Sequence, residues 1–158
     1  VVAIFININI SNYLKFNIDW FKQLSLINQI KLNDKIKSHD KIIFSDKTRH
    51  LNGLNREIRF FEFNGMLKES FNDQSRLGIS RSRLSPNFPK EFLEFKKLPE
   101  YNFIDFKNIN DDILKVQIIP GKYEPTSRGI LKLIMFKFFL RKDFENKIND
   151  LVVIDIED

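Results

Sequence analysis

Cysteine is absent from the 158 residues, which excludes a disulfide framework, a thiolate metal site and a cysteine nucleophile, and leaves the redox compartment open. Long apolar runs are missing too. The longest candidate, residues 130–140, is interrupted by Lys132 and Lys137 and falls well short of the ~18 to 20 residues of a membrane span, so a soluble chain is expected. Only two histidines occur, His39 and His50. They lack the i, i+4 spacing of a helical zinc site, and the nearby Asp40 and Asp46 belong to no recognised motif. No metal or cofactor is expected, and both histidines read as exposed or nucleic-acid-facing. Glu124 to Gly129 has neither the repeated glycines nor the terminal Gly-Lys-Ser/Thr of a phosphate loop. Carboxylates are plentiful, yet no pair or triad has a catalytic spacing, so the chain is not expected to be an enzyme. The start at Val1 shows no initiator methionine, cationic leader or cleavage-site pattern and reads as a processed or truncated end.

What is abundant is positive charge, phenylalanine and the Ile-Asn-Lys bias of AT-rich coding sequence, for which an organellar genome is one source. Formal net charge is +5 with a pI near 9.4, which favours an anionic partner such as nucleic acid or a membrane surface. Asp150 to Asp158 holds four acids and no base, leaving 26 bases against 17 acids, a net +9, in residues 1–149. The acidic end therefore reads as lying off the anion-binding face.

Patterning predicts the elements. In residues 1–10, Ile4, Ile6, Ile8 and Ile10 alternate with Asn7 and Asn9, a period of two that predicts a β-strand. Ser11 or Asn12 then caps a helix whose buried stripe is Phe16, Trp20, Leu24 and Ile27, with Lys15, Lys22 and Gln23 lying away from it. Trp20 reads as core. Periodicity is lost from Lys31 to Thr48, where Ile42 to Phe44 is a strand or part of an insertion. Residues 56–64 read as a strand broken by Gly65, and residues 67–78 as a projecting loop or short helix. Glu91 to Phe106, rich in aromatics that read as core, is the next strand. Asn108 to Gln117, opening on Asp111 and Asp112, is predicted as a second helix ended by Pro120 and Gly121. The last core strand is residues 122–126 or the more β-rich 129–140. Asp143 to Asn149 is a charged connector or helix turn, and Leu151 to Ile156, with Val152, Ile154 and Ile156 alternating, an added strand.

The basic, proline-broken stretch from Arg81 to Phe106 is the strongest functional signal. Pro86 and Pro89 forbid helix interior or central strand there. Ser85 and Asn87 place short hydrogen-bonding groups among Arg81, Arg83, Lys90, Lys96 and Lys97, where phosphate oxygens could sit. The order Arg83, Ser85, Pro86, Asn87, Lys90, Glu94, Phe95, Ile104, Asp105, Phe106 resembles the family of small-subunit ribosomal protein ten. Asn87 stands where that family usually has histidine, and one residue is missing between Phe95 and Ile104. The expected strand and helix at the N-terminus are also similar to that family.

The resemblance implies an α+β ferredoxin-like sandwich (βαββαβ) over residues 1–140, with an insertion around 32–80, an extended basic loop, and a C-terminal extension at 141–158. It implies a structural constituent of the small ribosomal subunit, in the mitochondrial matrix rather than the cytoplasm. Lys68, Arg76, Arg81 and Arg83 would line the loop against ribosomal RNA, and neighbouring ribosomal proteins would cover the strand edges. The alternative is a single-domain adaptor or immunity-type protein whose basic face binds an acidic partner.

Overall fold

The computed structural model describes residues 2–73, 76–81, 112–123 and 125–157. The N-terminal segment is one long helix, α1 (Val2–Leu32). The strand predicted for residues 1–10 is thereby corrected, and the reason is physical. No proline or glycine occurs before Gly53, so nothing stops a helix from running back to the N-terminus. Residues 6–13 lie exposed, where a lone strand would have no ladder to join while a helix satisfies its own backbone groups. The buried stripe is corrected as well. It runs through Ile18, Phe21, Lys22, Ser25, Leu26 and Ile30, and two of those side chains are polar. Phe16 is 72% exposed and Trp20 38%.

A short helix, α2 (Asp34–Lys37), capped by the Asn33 side chain on the Ile36 N–H, leads into β1 (Lys41–Asp46). The short apolar run at Ile42 to Phe44 is thus the centre of the sheet. Helix α3 (Phe60–Phe71) follows two 3-10 turns at residues 49–51 and 53–55. It replaces the strand predicted for 56–64. Gly65 does not break it, because that position faces open space and a glycine in a packed helix costs only about 1 kcal/mol. At the start of α3 the Glu62 carboxylate accepts the Arg59 N–H at 2.7 Å, and Asn72 ends the helix in the left-handed region at φ 52.

Strand β2 (Leu77–Ser80) closes the first crossover, and β3 (Ile113–Pro120) is the third strand. Leu114, Val116 and Ile118 of β3 point into the core. The helix predicted for 108–117 is corrected accordingly over the described positions 112–117, since its two early acids precede a strand. Helices α4 (Ser127–Phe139) and α5 (Arg141–Asn149) come next, then β4 (Val152–Ile156). Thr126 caps α4 by accepting the Gly129 N–H at 3.1 Å, so residues 129–139 are helical rather than a strand, and the described positions of 122–126 carry no strand either. The alternation expected at Val152, Ile154 and Ile156 is present, and residues 144–152 join the same core as α1.

The fold is α+β with a four-stranded mixed sheet in the order β2-β1-β3-β4. Strand β1 is parallel to both β2 and β3, and β3 is antiparallel to β4. A βαββαβ sandwich would instead begin with a strand and pair its second and third strands antiparallel. Among the described residues those two strands are not neighbours. Helix α1 packs on α3, α4, α5 and β4, and the core lies between these helices and one face of the sheet, around Phe21, Phe44, Phe63 and Ile118. Gly121 has no room for a side chain, since a Cβ there would stand 2.0 Å from the Asp150 carbonyl oxygen. This close approach lets β3 run into β4's backbone, with the Gly121 N–H on the Leu151 carbonyl.

Both outer strands are met by an amide side chain from a helix. Asn64 of α3 donates to the Gly78 carbonyl at 3.1 Å and accepts the Gly78 N–H at 3.0 Å. Gln29 of α1 donates to the Val152 carbonyl and accepts the Ile154 N–H at 2.8 Å. Each amide stands in for one residue of a neighbouring strand.

Candidate nucleic-acid interface at the carboxyl edge of the sheet

The chain leaves β1 toward β2 on one side and leaves β3 toward β4 on the other. In open sheets with parallel strands, such a reversal opens a crevice at the carboxyl ends of the strands. Here that edge carries the loop of residues 47–57, and the loop is held by an unusual amount of buried polar structure.

Lys22 is fully buried. Its ammonium donates to Asp46 Oδ2 at 2.7 Å, Asn52 Oδ1 at 2.7 Å and the Thr48 carbonyl at 3.1 Å, which uses all three of its protons. Asp46 in turn accepts the Thr48 N–H at 2.8 Å, the Thr48 hydroxyl at 2.7 Å and an Asn52 amide proton at 3.1 Å. Beside it, Arg56 makes a two-pronged pair with Glu62, both contacts at 2.6 Å, and reaches Asp19 at 3.0 Å. The loop is therefore fastened at Thr48, Asn52 and Arg56, and it displays Lys47, Arg49 and His50 outward.

Burial opposes charge on both members of the central pair, and the outcome differs between them. For Lys22 burial wins over the attraction of Asp46 and draws the ammonium below its ordinary value. For Asp46 burial alone would push the carboxyl up, but the Lys22 charge and the bonds from Lys22 and Thr48 hold it below the ordinary carboxylate value. Glu62 is likewise depressed, with burial outweighed by its bonds to Arg56 and the Arg59 N–H. A carboxyl whose folded pKa lies below its unfolded one binds fewer protons in the folded state. The stability contributed by Asp46 and Glu62 is thus fully present above the unfolded carboxyl value, about 4, and is lost as pH falls through the folded values. Thermal unfolding should show the melting temperature falling below about pH 4. That slope should be shallower in the Asp46→Asn, Glu62→Gln double variant.

Two clefts open on either side of the loop. One, of about 230 Å³, is lined by Ser45, Asp46, Lys47, Arg49, Glu57, Ser80 and Arg81. Arg49 is paired with Glu57, and Arg81 with Glu157 at 2.8 and 3.0 Å. The other, of about 180 Å³, is lined by His50, Leu51, Pro120, Tyr123 and Leu151, and burial raises the Tyr123 phenol. Three cations with the Ser45 and Ser80 side chains around the first cleft form an arrangement suited to phosphate oxygens, with Glu57 and Glu157 holding two of the cations and the Asp46 carboxylate taken up by the buried Lys22.

Of the residues singled out in the sequence, Arg81 stands at this cleft. Lys68 and Arg76 lie toward the opposite edge, in the last turn of α3 and just before β2. Arg76 is committed to structure. It covers the Phe71 ring at 4.5 Å, pairs with Asp73 at 2.9 Å and donates to the Lys37 carbonyl. Arg83, Ser85, Asn87, Lys90, Lys96 and Lys97 lie outside the described residues, as does the strand expected at 91–106. His50 is exposed at the second cleft, and His39 sits 3.7 Å from Asp112. Among the described residues no group of three His, Cys, Asp or Glu could hold a metal ion, and no helix is long and apolar enough to cross a membrane.

Lys47 and Arg49 were not legible as site residues. Only their place after an apolar triplet that proves to be a central parallel strand could have marked them. No family model matches the chain, and no curated protein or solved structure is significantly similar to it.

Proposed function

We propose that the protein is an RNA-binding structural subunit of a ribonucleoprotein, specifically of an organellar small ribosomal subunit in the mitochondrial matrix. It takes backbone phosphate at the cleft of Lys47, Arg49 and Arg81, beside neighbouring ribosomal proteins. The observation that carries this reading is the gathering of these three cations at the point where the basic stretch beginning at Arg81 leaves the sheet. The resemblance of residues 83–106 to ribosomal protein ten supports ribosomal RNA as the partner. The role is one of positioning, because Lys and Arg neutralise phosphates with little base selectivity.

Two measurements test it. The endogenous protein should sediment with the small ribosomal subunit and leave that position after ribonuclease treatment. A ribonuclease-resistant complex of low mass would overturn the reading in favour of an adaptor on an acidic protein. With purified chain and RNA, the Lys47→Ala, Arg49→Ala, Arg81→Ala triple variant should bind roughly tenfold or more weakly near physiological salt, with a flatter dependence of affinity on salt. An unchanged salt slope would show that the cleft does not touch phosphate. Because Glu157 occupies Arg81, Glu157→Gln should tighten RNA binding by several-fold in the same assay.

A further inference from the structure

Helix α4 carries a surface that the cleft does not use. From Thr126 to Lys142 the chain contains Arg128, Lys132, Lys137, Arg141 and Lys142 and no acidic residue, although Arg141 is paired with Glu145 of α5 at 2.9 Å. Its inward side is filled by Ile130 and Leu133. Outward, at 100° per residue, Leu131, Met135, Phe138 and Phe139 share a face with Arg128 and Lys132. The exposures are large: 60% for Met135, 70% for Phe138 and 78% for Phe139. Lys137 lies on the other side of α4, 4.0 Å from the Trp20 ring centroid of α1, and Phe16 stands one turn earlier on α1. Toward the N-terminus Tyr13, Ile10, Ile8 and Ile6 are about half exposed. The first charged residue of the chain is Lys15.

We propose that this face of α4 lies on an anionic lipid bilayer. Charge complementarity selects that occupant. Cations interleave with Leu, Met and Phe on a convex helix face. A bilayer offers an anionic headgroup plane with an apolar layer directly beneath it, and it demands no matching concavity. RNA would meet the cations but give Leu131 and Met135 nothing apolar. The contact proposed is a peripheral one, and among the described residues no helix is long and apolar enough to cross a membrane.

The test is flotation of the full chain with vesicles of pure phosphatidylcholine or with about one third phosphatidylglycerol. The protein should float with the anionic vesicles alone and less so as salt rises. Met135→Glu with Phe138→Glu, both at exposed positions, should lower binding at least tenfold without moving the unfolding midpoint. The Lys47, Arg49, Arg81 triple variant should still float, which separates this surface from the RNA cleft. Equal binding to neutral vesicles, no flotation, or unchanged flotation of the glutamate variant would overturn the proposal. So would self-association without lipid that the glutamate variant abolishes, which would make a second copy the occupant.

Discussion

Replacing Lys22 by methionine is expected to destabilise the protein by about 3–5 kcal/mol, the usual result of stripping one partner from a buried ion pair. Methionine fills similar volume, so the loss is electrostatic rather than a cavity effect. It would strand the Asp46 carboxylate without its counter-charge and leave Asn52 Oδ1 and the Thr48 carbonyl without the proton each now accepts. Against a total stability of about 5–15 kcal/mol, the change would take away a large share of the folded population's margin. Urea unfolding reads it directly as a lower midpoint. Adding Asp46→Asn to the methionine variant should recover part of the loss, because the second change removes the stranded charge. A Lys22→Met cost under about 1 kcal/mol, no more than an exposed pair is worth, would mean that the loop is held by something else. The same variant should loosen residues 47–57 and so weaken RNA binding without altering any cation at the cleft.

Phe63→Ala carries an expected loss of comparable size, about 3–5 kcal/mol. The Phe63 ring is 1% exposed and lies flat on Phe44, with centroids 4.5 Å apart and planes 2° from parallel. Gly78 makes room for the two rings. A Cβ at that position would come within 3.0 to 3.1 Å of Leu67, Phe44 and Phe63. Neither the β1 backbone nor the α3 backbone can close the void without giving up the strand register or the Asn64 contact to Gly78. Phe63→Leu should cost only about 1–1.5 kcal/mol, since it keeps most of the volume. Thermal unfolding of the two variants checks the ratio, and amide exchange should show β2 opening first in the alanine variant.

The two positions also show what could be read from the chain before its structure. Val152, Ile154 and Ile156 alternate on a true strand because that signal is local, whereas Pro120 with Gly121 ends a strand and not the helix expected before it. Ile4 to Ile10 alternates just as cleanly and is helical. There the deciding term is what surrounds the segment, and among the described residues it has no strand to pair with. Lys22 was assigned to the wet side of α1 because lysine is ordinarily exposed. Its burial depends on Asp46 and Asn52, 24 and 30 residues away, and such a partnership has no trace in the spacing of residues. At the candidate site only Arg81 was legible. Lys47 and Arg49 gain meaning from strand order, which hydrophobic pattern does not encode.

Gln29 and Asn64 have one more consequence. A sheet whose outermost strands offer bare amides is a template on which a second chain can add itself, and growth by that route continues without limit. In this protein the amide groups of Gly78, the Val152 carbonyl and the Ile154 N–H are already taken by side chains that cannot themselves propagate a ladder. Copies that accumulate before they find their partners are thus hindered from polymerising through the described strands, and a partner that lengthens the sheet at β2 or β4 would first have to displace these side chains.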